Sequence, residues 1–116
     1  MAVDTLKVNG KLTLGENIAD LAGLTMACGA YRRSLAGREP EPIDGLTGPK
    51  RFCLAWAQVW RGMYRPQYAT LLAQVDPHAP PHLRTNGPLS NMPEFAEAFS
   101  CKAGDPMVRE TQAEIW

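Results

Sequence analysis

Residues 12–35, LTLGENIADLAGLTMACGAYRRSL, decide the fold class. Leu14, Ile18, Leu21, Thr25, Cys28 and Leu35 recur at steps of three, four and seven, the period of an amphipathic helix rather than a strand. Thr13 stands as its N-cap, and Glu16 three residues on completes a capping box. Gly15, Gly23 and Gly29 lie inside this pattern, where each costs a helix about 1 kcal/mol relative to Ala. Their presence predicts that another backbone or a bound group comes close to that side of the helix.

On the N-terminal side, Val3, Leu6 and Val8 alternate before Asn9-Gly10, which reads as a short extended arm closing in a turn. On the C-terminal side, residues 36–50 hold three prolines and three glycines and read as a surface loop. A second helix is expected from about Pro49, a good first-turn residue, to Tyr64. Its stripe of Phe52, Trp56, Val59, Trp60 and Met63 reads as core packing. A third helix covers about Pro66–Gln74. Four prolines in residues 76–91, DPHAPPHLRTNGPLSN, predict irregular structure there. Asn91 is expected to cap a last helix, with Pro93 in its first turn, Glu94 three residues on, and Phe95 and Phe99 on one face. The tail from Gly104 to Trp116 is weakly patterned and ends on apolar Ile115-Trp116. The fold class is mostly α.

Composition bounds the function. A chain of 116 residues holds one small domain at most. Twelve Lys and Arg against twelve Asp and Glu leave no cationic surplus, which excludes a nucleic-acid or anionic-membrane binder. No apolar run approaches the roughly 20 residues of a membrane span, and residues 1–10 lack the basic and apolar regions of a signal peptide. The sequence therefore assigns no compartment. Ten prolines in so short a chain, against about 5% in average usage, predict a piece that leans on something larger. The three cysteines, Cys28, Cys53 and Cys101, form no C-x-x-C pair, which excludes a zinc ribbon or a thioredoxin-type site. Cys28 and Cys53 sit among apolar residues and read as small core hydrophobes.

Few residues are left to carry chemistry. Glu16 and Asp20, four apart on a helix, point to nearly the same side. Exposed, they are a solvated acidic face; buried, they must meet a metal, an Arg or a His. His78 and His82 are also four apart, but Pro80 and Pro81 stand between them and no Glu follows His78, so they are not an H-E-x-x-H pair. His78 and Arg84 in a proline-stiffened loop are either surface residues or a cation pair suited to an oxyanion or a carbonyl. No phosphate loop, G-x-S-x-G elbow or Cys-His-Asn order is present. A self-contained catalytic set is absent.

Taken in order, these segments resemble the C-terminal end of the neprilysin-type zinc metallopeptidases, over nearly the whole chain. Residues 9–20, NGKLTLGENIAD, resemble the family's downstream zinc-ligand segment with its E-N-x-x-D pattern. Asp44-Gly45, Arg51-Phe52 and Ala57-Gln58-Val59-Trp60-Arg61 are similar to its following helix. Asp76-Pro77-His78, Arg84, Asn86-Gly87 and Ser90-Asn91 resemble its substrate-contacting loop, and Phe95, Ala98-Phe99, Cys101-Lys102 and Trp116 its closing segment. Ala22 stands where a Gly is common.

The resemblance implies a helical C-terminal subdomain of a thermolysin-like (gluzincin) peptidase, spanning residues 1–116 as a single partial domain. Glu16 would be the third zinc ligand and Asp20 the carboxylate that orients a ligand histidine. His78 would stabilise the tetrahedral oxyanion and Arg84 would hold a substrate carbonyl. The small-residue side around Gly23 would lie close to the helix carrying the other ligands. The H-E-x-x-H segment is not in this chain, so the chain alone is expected neither to hold zinc tightly nor to cleave peptides. Cys101, which resembles a cysteine paired to an N-terminal partner, is expected to be free. The implied partners are a peptide substrate and the missing N-terminal part of the peptidase. Exposed apolar faces predict self-association to a homo-oligomer. The parent enzyme is expected to be extracytoplasmic, periplasmic or membrane-anchored. The alternative is a non-catalytic helical interaction module derived from the same scaffold.

Overall fold

Five helices, α1 (Gly10–Leu35), α2 (Gly48–Val59), α3 (Pro66–Val75), α4 (Pro81–Ser90) and α5 (Pro93–Ala98), make up the computed structural model, which describes residues 7–115. No strand occurs among the described residues; an isolated antiparallel bridge joins Ile43 to Leu46. The mostly α expectation holds. The proposed arm at Val3 and Leu6, and the terminal Trp116, lie outside the described residues.

α1 starts two residues before the expected Leu12, because its cap is Asn9 and not Thr13. The Asn9 Oδ1 accepts from the backbone N–H groups of Lys11 and Leu12 at 3.1 and 3.2 Å, which satisfies donors that no earlier carbonyl can reach. Thr13 instead lies one turn in, almost fully buried, with its hydroxyl donating to Asn9 O. The helix stops at Ala36 and Gly37, both with positive φ, after Arg32 and Arg33 in the last turn. That left-handed exit and those cations suit a helix C-terminus.

The core is thin. Leu21, Leu24 and Cys28 of α1 meet Cys53 of α2 and Leu89 and Met92 at the end of α4, flanked by Phe52, Trp56, Phe95, Phe99, Met107 and Ile115. Leu14 and Ile18, expected in the buried stripe, are 56% and 40% exposed. They line an open cleft between α1 and α4. The expected close approach at Gly15, Gly23 and Gly29 is not made by the described residues, since a Cβ at each would meet none of them within 4 Å. The tight glycine is Gly48, where a Cβ would overlap the Tyr31 hydroxyl and the Pro40 ring.

α2 ends at Val59, five residues before the expected Tyr64. Pro66 forces Arg65 into extended backbone (φ −64°, ψ 141°). Val59, in the last turn of α2, and Met63, beyond it, do not join the core expected of the stripe; they are 66% and 101% exposed. In the loop 36–47, Asp44 and Gly45 both take positive φ between the bridged Ile43 and Leu46, the two-residue turn that Asp-Gly favours.

The largest departure is α4, a helix where irregular chain was expected. Pro80 precedes it and Pro81 occupies its first turn, where a missing N–H costs nothing. Pro88 lies in the last turn and leaves the carbonyl of Arg84, four residues back, without its helical donor. The Trp56 indole Nε1–H of α2 supplies that donor at 3.0 Å. Asn91 does not cap α5. Its amide donates to Gly87 O, and its Oδ1 accepts from the Ala113 N–H at 2.9 Å, tying down the tail. α5 is capped from Met92 with no side-chain bond.

Cys28 and Cys53 are buried and free, and Cys101 is free and half-buried. Burial raises the Cys28 thiol above its ordinary value, and burial and then the neighbouring Cys28 push Cys53 up to about 11. Iodoacetamide should therefore modify Cys101 at least about tenfold faster than Cys28 or Cys53 in the folded chain, because the thiolate is the nucleophile. Equal rates by mass spectrometry would contradict this packing. A thiol held protonated by folding stabilises below its ordinary pKa of 9.0, and that contribution is lost as pH rises towards about 11. The urea midpoint should fall over that alkaline range, and less so in Cys53→Ala.

Candidate active-site cluster

Glu16 and Asp20 lie one turn apart on α1, and their environments separate them. The Asp20 side chain is 10% exposed and Arg84, from α4, is 16% exposed. Arg84 Nε donates to Asp20 Oδ2 and its Nη2 to Oδ1, both at 2.7 Å. This is the bidentate fork that matches a guanidinium to a carboxylate. Of the alternatives open to the acidic pair, the structure gives Asp20 an Arg partner. The bond from Asp20 is the main cause that raises the Arg84 pKa, with Glu16 and Asp76 adding to it.

Glu16 stays half-exposed, with Oε2 3.5 Å from His78 Nε2. The loop before α4 delivers His78. Asp76 Oδ1 accepts from the backbone N–H of His78 at 2.7 Å, an Asx turn, and lies 2.7 Å from the ring Nδ1. Those bonds hold Asp76 below the ordinary carboxylate value, with the backbone N–H as the larger cause. The contribution of this turn is present above the usual carboxylate range and is lost as pH falls below it. His78 is thus fixed at Nδ1, and its Nε2 faces Glu16.

All four residues singled out in the sequence, Glu16, Asp20, His78 and Arg84, come together. His82 does not join them; it sits exposed in the first turn of α4, beside Trp60 and Asn86. Two participants have no site role in the sequence reading. Asp76 enters it only within the quoted loop, yet its part was legible in principle, since an Asp side chain commonly accepts from the backbone N–H two residues on. Trp60 was read as core, whereas its ring lies 3.8 Å from the Arg84 Cζ, within cation–π reach.

Among the described residues no three His, Cys, Asp or Glu side chains gather as a metal group would require. Glu16 can present one carboxylate oxygen, but Asp20 is committed to Arg84. The donor set fits one position of a catalytic zinc site, which needs three protein ligands. The described residues therefore do not form that site by themselves.

The model of Peptidase family M13 matches residues 1–115, and the chain belongs to that family, the neprilysin-type peptidases. It is 45% identical to Neprilysin-1 of Caenorhabditis elegans, over 96% of this chain and 15% of that protein. It is 42% identical to Endothelin-converting enzyme 1 of Cavia porcellus, over 94% of this chain and 15% of that protein. A crystal structure of a Mycobacterium tuberculosis zinc metalloprotease in complex with an inhibitor superposes with a TM-score of 0.91 at 42% identity, covering 96% of this chain and 17% of that one. The chain thus spans about 15% of the length of the curated relatives it matches.

Removing one partner of a buried ion pair strands the other charge. Asp20→Asn should therefore lower unfolding stability by about 3 kcal/mol in urea titrations. Arg84→Met added to it should recover part of that loss. An Asp20→Asn chain within about 0.5 kcal/mol of the parent would show that the pair does not hold α1 to α4.

Proposed function

We propose that this chain is the helical part of a zinc metalloendopeptidase that supplies the third metal ligand and the groups that hold the substrate. The convergence of Glu16, Asp20, His78 and Arg84 carries this reading, with Asp20 and Arg84 meeting from 64 residues apart. A repurposed interaction module would need the buried Asp20–Arg84 pair for stability but has no physical use for the half-exposed Glu16–His78–Asp76 group. Zinc, when bound in the intact enzyme, supplies the Lewis acid that polarises a peptide carbonyl and activates water. The H-E-x-x-H part of the enzyme would contribute the other ligands.

The chain's own residues have separable tasks. Glu16 offers a carboxylate oxygen to the metal. Asp20 spends one lone pair of each oxygen on Arg84 and retains others to accept the N–H of a ligand histidine, which fixes that ring. His78, anchored at Nδ1 by Asp76, aims Nε2 to the Glu16 side, where it donates to the developing oxyanion when both ring nitrogens carry protons. Arg84 keeps its Nη1 donors for a substrate carbonyl. Leu14, Ile18 and the small residues near Gly23 face the remainder of the enzyme, and the name of one relative, Membrane metallo-endopeptidase-like 1 of Mus musculus, supports a parent that is extracytoplasmic, periplasmic or membrane-anchored.

The test is a chimera in which this chain replaces the corresponding segment of Caenorhabditis elegans Neprilysin-1. Chelator-sensitive peptidase activity should survive the exchange. Asp20→Asn should reduce it about 10–100-fold and Glu16→Ala by at least as much, whereas the isolated chain should show neither activity nor zinc binding by calorimetry. A chimera whose activity is indifferent to Glu16→Ala would overturn the assignment. Separately, the uncovered apolar faces should make the isolated chain self-associate; a clean monomer in light scattering at micromolar concentration would contradict that.

A further inference from the structure

Two indoles grip Arg84 from different ends, and only one has a structural explanation. Trp56 donates to the Arg84 carbonyl that Pro88 leaves free. Trp60 packs edge-on against Trp56, with ring centroids 5.2 Å apart and planes at 76°, and its own ring lies under the Arg84 guanidinium. Its Nε1–H is buried with no acceptor among the described residues. A buried donor left unpaired is a cost that a phenylalanine at this place would avoid. What Trp offers over Phe is the strongest ring face for a cation.

We propose that Trp60 is a positioning residue for Arg84. Asp20 holds the guanidinium along its Nε–Nη2 edge, and the indole covers one face. Rotation of the guanidinium toward the indole is blocked and rotation away from it breaks the fork to Asp20, and the Nη1 group is left as the donor directed away from the pair. Trp60 thus sets where Arg84 presents its free hydrogen-bond donors, and it needs no contact with substrate to do so. The link to a peptide carbonyl rests on the function proposed above; the positioning itself does not.

Proton NMR of the isolated chain separates the two claims, because it requires no activity. The Arg84 Nε–H signal, assigned by its loss in Arg84→Lys, should exchange slowly with water. In Trp60→Leu exchange should accelerate about tenfold, the scale of a largely desolvated cation–π contact. Trp60→Phe should restore protection in part, with exchange within about threefold of the parent. A role in packing alone predicts an unchanged Nε–H exchange rate in any variant that keeps α1 and α4 folded, and that result in Trp60→Leu would overturn the proposal. Where Trp60→Leu fails to fold, Trp60→Phe decides. An Nε–H with the parent's exchange rate would sink the idea, and a faster one would support it. Failure here would leave the zinc-ligand reading of Glu16 untouched.

Discussion

The pairing of Asp20 with Arg84 is the constraint on which the rest of this molecule depends. It joins the long first helix to the short fourth one with two 2.7 Å bonds, in a protein whose buried hydrophobic residues are few and mostly small or medium-sized. Once these two side chains are fixed, Glu16 is placed one turn away on the same side of α1. The loop from Asp76 to Pro80 must then bring His78 past that position before α4 begins. The ion pair thus sets the distance between carboxylate and imidazole, which neither local sequence specifies.

Prolines do unexpected work in this arrangement. Pro81 starts α4 and Pro88 removes one of its hydrogen bonds, yet the released carbonyl belongs to Arg84 and is taken by Trp56. A residue that weakens the helix locally therefore binds it to α2, and does so at the position whose side chain meets Asp20. The last turn of α4 is satisfied in a similar way by its own side chains and the tail. Ser90 Oγ and the Asn91 amide both donate to Gly87 O, while Arg109 Nε donates to Ser90 Oγ.

What could be read from the sequence follows from the range of the interactions involved. α1 and α3 were legible because apolar periodicity and proline starts are local signals. The shared side of Glu16 and Asp20 was equally plain, since it follows from helix geometry alone. Their division into an exposed and a buried carboxylate was not, because burial of Asp20 comes from Arg84. α4 was missed for the same reason: proline counts report the hydrogen bonds a segment loses, and the compensating Trp56 donor lies 28 residues upstream. The caps at Asn9 and Met92 failed differently. Thr13 with Glu16 and Asn91 with Glu94 each satisfy the capping-box pattern, but the tertiary structure had other uses for Thr13 and Asn91.

The same contrast bears on why the chain is built as it is. Its radius of gyration, 15.6 Å, exceeds the roughly 13 Å of a compact domain of this length. Leu14, Ile18, Tyr68, Leu71 and Val75 remain uncovered. Glu16 and His78 stand half-exposed at an open edge, where the proposed function needs the groups that meet ligands from another part of the protein. A residue that must keep them there has to be buried in its own part, which is where Asp20 and Arg84 are. With the rigid pair inside and the exposed pair outside, the proposed function has one small set of helices preorganise its share of a site before the rest of the enzyme meets it.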